Sequence, residues 1–180
     1  MAVADRHRHF APRMSELLAL PPRRRRPLAF TGFFADAAAP VMQPDLAAVV
    51  DEVRPDIVIH EIAELAGAAV ATARGIPHVT VAFSGALPPG TDELLIERIT
   101  PVWAAEGLAA PSMAEIFGTC YLHPFPPSFG QLPNGDAVRP MRAVPLGGTG
   151  GEQPAWLADL GVDRPLVYLT SGTEPAAANA

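Results

Sequence analysis

Residues 54–79, RPDIVIHEIAELAGAAVATARGIPHV, decide how the chain is read. Pro55 ends whatever helix precedes it, because a proline disfavours helical geometry at the residue before it. Asp56 to His60 then read as a strand whose continuous apolar run, Ile57-Val58-Ile59, predicts cover on both faces. Residues 63–73 carry Ala63, Ala66, Gly67, Ala68, Ala69, Ala71 and Ala73, side chains small enough for a helix to lie close against a sheet. Gly75 supplies the helix stop, Pro77 prevents continuation, and His78 to Phe83 read as the next strand. Such a βαβ unit predicts two parallel strands joined by a right-handed crossover. Ligands of open parallel sheets sit outside the carboxyl ends of the strands, where His60 and Glu61 fall.

Two readings of that pair stand side by side. Glu61, or Glu64 three residues on, serves as a helix-terminal acid stabilised by the helix dipole, and His60 as a hydrogen-bonded strand end. Alternatively, the carboxylate and imidazole belong to acid–base chemistry.

The rest of the chain sets limits. With 180 residues, 49% hydrophobic and 18% charged, it is globular and long enough for an ordinary core. A net charge of −6 provides no general attraction to nucleic acid or to an anionic membrane. Cys120 is the single cysteine, which excludes an internal disulfide and suits a reducing cytoplasm. The start, MAVADRHRHF, lacks the apolar core of a signal peptide, and no window approaches the roughly 20 apolar residues of a membrane span.

Upstream, residues 13–20 suit a short amphipathic helix broken by Pro21-Pro22, and Arg23 to Arg26 read as a solvated basic loop. Residues 28–53 read as helical with a break at Pro40. Downstream, residues 92–107 predict a helix capped by Thr91 and kinked at Pro101, and Thr119 to Leu122 a short strand. The prolines of HPFPPSFG force an extended path, and Val138 to Val144 is extended again. The run Gly147 to Gly151 is a linker and not a phosphate loop, since no Lys-Ser/Thr follows it. Pro154 to Leu157 starts a short helix, and Arg164 to Thr170 reads as a further buried strand closing on Ser171-Gly172-Thr173. His7 and His9 have metal-like spacing but no third ligand nearby. No G-x-S-x-G motif supports a hydrolase built on His60. The fold class expected is α/β, a Rossmann-like parallel sheet with flanking helices.

The order RPDIVIHE, GIPHV, PPS, RPMR, PAWL and RPLVYLTSGT resembles family 1 glycosyltransferases of the GT-B type, over roughly residues 40–173. The likeness is to the macrolide and polyketide enzymes of the erythromycin desosaminyltransferase-like group. It implies a partial acceptor-binding domain over residues 1–145, an interdomain linker over 146–163, and the start of a nucleotide-sugar-binding domain over 164–180. It implies transfer from a UDP- or TDP-linked sugar to a hydrophobic hydroxylated acceptor with inversion, in the cytoplasm, without cofactor, metal, nucleic acid or membrane. Glu61 falls where the family places the carboxylate that orients the catalytic histidine, and Ser171, Gly172 and Thr173 fall at the turn near the donor phosphates.

The family's opening strand and glycine–histidine loop have no counterpart before residue 54, and its donor domain has none after Thr173. The catalytic base is therefore assigned to no residue. The expectation is a chain cut at both ends, inactive alone, with an uncovered sheet edge that favours self-association. A non-catalytic acceptor-binding or interaction module derived from a glycosyltransferase is the alternative.

Overall fold

The computed structural model describes residues 17–83, 87–125 and 137–142, together with Trp156, Val167 and Leu169. The chain divides into two compact units, Met1–Ala143 and Val144–Ala180, and the sheet belongs to the first. Helix α1 (Pro22–Thr31) passes through a π-helical stretch (Gly32–Ala38) into α2 (Ala39–Val53). Strand β1 (Val58–Glu61), α3 (Ala66–Ala73) and β2 (His78–Val81) follow, and then α4 (Asp92–Ala105) and α5 (Met113–Phe117). Strands β3 (Cys120–His123) and β4 (Val138–Pro140) complete the described part. The four strands lie in the order β1-β2-β3-β4, all parallel, with His60 opposite Thr80 and Val81 opposite Leu122. This is the α/β architecture expected from the βαβ unit.

Several local expectations give way. Arg23 to Arg26 are helical, not a loop: Pro22 starts α1 at a position where its missing N–H costs nothing, and arginine is a good helix former. Arg23, Arg24 and Arg26 remain exposed. Pro40 does not break the helix. The chain widens just before it, the Ala39 N–H reaching back five residues to the Phe34 carbonyl, and the π-helical stretch absorbs the proline. Thr91 does not cap α4 with its side chain; its hydroxyl donates instead to the Pro88 carbonyl. Helix α5 went unread in the sequence, although Ser112 and Glu115 form a reciprocal capping box at its start.

The core lies between the helices. Ala66 to Ala71 of α3 are all buried, and α3 packs on both β1 and β2. Leu95, Ile99, Val102 and Trp103 of α4 meet Ala68 and Ala69 of α3, Ala35 and Ala39 of the long helix, and Ile116 of α5. Arg74, just past α3, ties three helices together. Its guanidinium pairs with Asp51 of α2 through two nitrogens, donates to Glu106 at 2.9 Å, and donates to the Val70 carbonyl at 3.1 Å. Glu106 in turn accepts from Gln43 of α2 at 2.9 Å. Arg54 takes left-handed geometry (φ 49°) to close α2, as the proline after it demands an exit from the helix.

The other face of the sheet departs from expectation. Ile57 and Ile59 are 45% and 66% exposed, and Phe83 and Met141, just past β2 and β4, are exposed as well. The apolar run of β1 is thus covered on one face only by the described residues, because α3 and α5 pack on the same side. In the second unit, Trp156 is helical as expected, whereas Val167 and Leu169, read as part of a buried strand, are 79% and 92% exposed. Neither belongs to a strand pairing, and only pairing and cover bury such a run. No helix among the described residues is long and apolar enough to cross a membrane.

Candidate functional site

His60 and Glu61 stand at the carboxyl end of β1 and His123 at that of β3, while His78 opens β2. His60 and Glu61 are neighbours in sequence but point to opposite faces of the sheet, since side chains alternate along a strand. The imidazole therefore meets the Glu61 backbone carbonyl (Nδ1 to O 3.2 Å) and not its carboxylate.

On the buried face, parallel register brings His60 of β1 against His78 and Thr80 of β2. His60 Nε2 lies 3.1 Å from His78 Nδ1 and 3.3 Å from Thr80 Oγ1. One neutral assignment accounts for the His60–His78 contact and leaves the Thr80 hydroxyl to bond elsewhere. His60 Nδ1–H donates to the Glu61 carbonyl, His78 Nδ1–H donates to the bare His60 Nε2, and the Thr80 hydroxyl donates to the Phe117 carbonyl at 3.0 Å. Burial keeps both rings neutral. It lowers His60 against the opposing pull of the Glu61 and Glu64 carbonyls and the Glu61 charge. His78 falls to about 4, through burial first and the charge of His60 second, with the Glu115 carbonyl opposing. Gly118 closes the site from the other side: a Cβ there would stand 2.5 Å from the His78 ring and carbonyl.

Glu61 is exposed at the end of β1, and its Oε2 accepts the Ala63 N–H at 2.9 Å in the turn after the strand. Glu64 is the helix-terminal acid. Its carboxylate accepts from the Ala66 and Gly67 N–H groups at 3.1 and 2.9 Å, satisfying orphan donors at the start of α3. Burial raises the Glu64 pKa, against those two bonds. The two acids thus divide the roles that the sequence left open between them, Glu64 capping the helix and Glu61 standing free of it.

His123 ends β3 on the same face as His60 and is buried, with Nδ1 3.2 Å from the Phe125 carbonyl. Sequence reading passed over His78, Thr80 and His123. The signal for His123 was available, as the carboxyl-end rule that singled out His60 applies equally to YLHPF. The signal for the His60–His78 contact was not, because it depends on strand register. Ser171, Gly172 and Thr173 lie outside the described residues, as do His7, His9 and the Gly147–Gly151 run. Among the described residues no three His, Cys, Asp or Glu side chains are grouped to hold a metal.

Residues 28–172 match the N-terminal domain family described as erythromycin biosynthesis protein CIII-like. The chain belongs to this family. Its fold and kinship are those of the GT-B glycosyltransferases of antibiotic biosynthesis. It is 38% identical over 132 residues to L-demethylnoviosyl transferase of Streptomyces niveus, covering 72% of this chain and 33% of that protein. The chain thus spans about a third of the length of that curated relative.

Among solved structures, the spinosyn rhamnosyltransferase SpnG matches with a TM-score of 0.57 and 21% identity, over 82% of this chain and 37% of SpnG. SpnG has been solved complexed with thymidine diphosphate and with spinosyn aglycone. The glycosyltransferase SnogD of Streptomyces nogalater matches with a TM-score of 0.52 and 26% identity, over 80% of this chain and 39% of SnogD.

Proposed function

We propose that this chain supplies the acceptor-side portion of a glycosyltransferase that moves a sugar from a UDP- or TDP-linked donor to a hydroxyl of a hydrophobic, polyketide-like acceptor. The transfer is a direct displacement that inverts the anomeric centre and uses no cofactor or metal. The acceptor hydroxyl is a weak nucleophile, so an imidazole must take its proton as it attacks.

His60 is not that imidazole, since both of its nitrogens are engaged inside the fold. Glu61 is the group that serves it. Its carboxylate is exposed at the carboxyl end of β1, with Oε2 steadied by the Ala63 N–H and Oε1 without a partner among the described residues. A carboxylate so placed holds a catalytic histidine in the correct tautomer and stabilises the imidazolium formed during transfer. Ser171, Gly172 and Thr173 take the donor phosphates in this reading. The placement of Glu61 is the observation that carries the proposal, and the family membership supports the reaction class.

The test joins this chain to the complementary segments of SpnG and measures rhamnosyl transfer to spinosyn aglycone. Glu61→Gln is expected to lower turnover by about 10²–10⁴ while leaving acceptor affinity unchanged. Glu64→Gln, which weakens only the helix cap, is expected to cost about 1 kcal/mol of stability and leave turnover alone. Equal effects of the two substitutions on turnover would refute the assignment. Aglycone binding without any transfer would favour a binding module.

A further inference from the structure

Among the described residues, two buried side-chain nitrogens have no hydrogen-bond partner: Trp103 Nε1 and His123 Nε2. Trp103 belongs to α4 and sits in the helical core with Ala35 and Ala39 of the long helix. His123 is different in position and in chemistry. It is the last residue of β3, 2% exposed, and faces the side of the sheet that carries His60, His78 and Tyr121.

Its tautomer follows from its one bond. Nδ1 lies 3.2 Å from the Phe125 carbonyl, an acceptor, so Nδ1 carries the proton and Nε2 presents a bare lone pair. Both nitrogens of His60 are bonded and His78 is bonded through Nδ1, whereas His123 Nε2 is buried without a partner. A buried acceptor left empty is costly, so a donor is called for. The surroundings are apolar and aromatic: Tyr121 and Phe125 have ring centroids 6.1 and 5.7 Å from the imidazole. Ile62, Ala82, Phe117 and Tyr121 form a separate apolar cluster just past the ends of β1 and β2 and along β3.

We propose that His123 positions the acceptor by taking a hydrogen bond from one of its hydroxyls at Nε2, with the Ile62–Ala82–Phe117–Tyr121 cluster beside the carbon skeleton. This deepens the proposed function and rests on it. A lone pair rejects an ionised phosphate, which has no proton to give, and accepts an alcohol. The donor's phosphates are therefore excluded as the partner, and within this apolar setting a hydroxylated apolar molecule fits. His123 is a positioning residue and takes no part in proton abstraction.

The test uses the full chain carrying ¹⁵N-labelled histidine, with spinosyn aglycone and its O-methylated form as probes. Free aglycone is expected to shift the His123 Nε2 resonance and to bind about tenfold more tightly than the O-methylated form, which has no O–H to donate. His123→Phe should remove that tenfold preference, and His123→Gln, whose amide oxygen replaces the lone pair, should restore most of it. Unfolding curves for both variants separate lost binding from lost fold. Aglycone binding with an unmoved Nε2 resonance, or with equal affinity for the two probes, would overturn the proposal for His123 and leave the proposed function standing. Absence of any aglycone binding by a folded chain would overturn both.

Discussion

Gly118 is the position at which one methyl group should cost the most. Its backbone lies at φ 73°, ψ −151°, a region essentially restricted to glycine. A Cβ there would stand 2.5 Å from His78 Cε1, from His78 Nδ1 and from the His78 carbonyl oxygen. Rotating the ring relieves only part of this clash. The carbonyl is fixed by the Thr119 N–H at 2.9 Å, which joins the end of α5 to the start of β2.

Three costs add in Gly118→Ala. Backbone strain contributes about 1–3 kcal/mol, and overpacking against an immovable carbonyl contributes about 1–3 kcal/mol more. Displacing the His78 ring from His60 also loses a hydrogen bond, worth about 0.5–1.5 kcal/mol. A total near 4 kcal/mol is a large share of the roughly 5–15 kcal/mol that holds a typical domain folded. Urea unfolding followed by far-UV circular dichroism should show it as a fall in midpoint at unchanged slope. Gly107→Ala is the control. It has the same sign of φ (77°) but open space around the added methyl, so it carries strain without the clash. If Gly118→Ala costs less than about 1 kcal/mol, or no more than Gly107→Ala, α5 does not approach β2 this closely.

Three further outcomes follow from the same geometry. Burial holds His78 at about 4 in the fold against 6.5 in the open chain, so the unfolded state binds more protons and stability must fall as pH drops from 6.5 through about 4. The ceiling is about 3 kcal/mol, of which the interval from pH 7 to 5 samples about 2 kcal/mol. Urea midpoints at pH 7 and 5 should differ accordingly, with His60 adding the same sign, and His78→Gln should flatten the slope; equal midpoints for the native chain would refute this. Arg74→Met should cost about 1–2 kcal/mol, most of it from the sheltered Glu106 side of the clamp, since Asp51 is exposed; a thermal scan in high salt should leave much of that loss in place. Ile59→Lys puts a charge on the uncovered face of β1, the edge strand of the described sheet, and should lower self-association in sedimentation without changing monomer stability by more than about 0.5 kcal/mol.

Much of the fold was legible because its signals are local. An apolar run, a helix of small residues, a Gly-Ile-Pro stop and a second apolar run determine a βαβ unit wherever they occur, and handedness follows from chain chirality. The parallel sheet and the position of Glu61 at its carboxyl end were therefore available from residues 54–79 alone, as was the acid pair at the start of α3. Which acid caps the helix was not, since Glu61 and Glu64 differ only in how the turn between β1 and α3 aims each carboxylate. Pro40 misled for a related reason: a proline reports a missing donor, and only the neighbouring turns decide whether the helix breaks or widens around it.

Everything that depends on register or on a third element came from the tertiary structure. His60 and His78 stand 18 residues apart in the chain and meet at 3.1 Å because β1 and β2 pair with His60 opposite Thr80; a slip of one residue would turn every side chain of β2 to the other face. The clearance at Gly118 exists because α5 ends against the His78 carbonyl, a contact across 40 residues. The bare Nε2 of His123 and the exposure of Ile59 are properties of what does not touch them, and local sequence carries no record of that. Local propensity determines which elements form. Their packing decides which polar atoms are left to act.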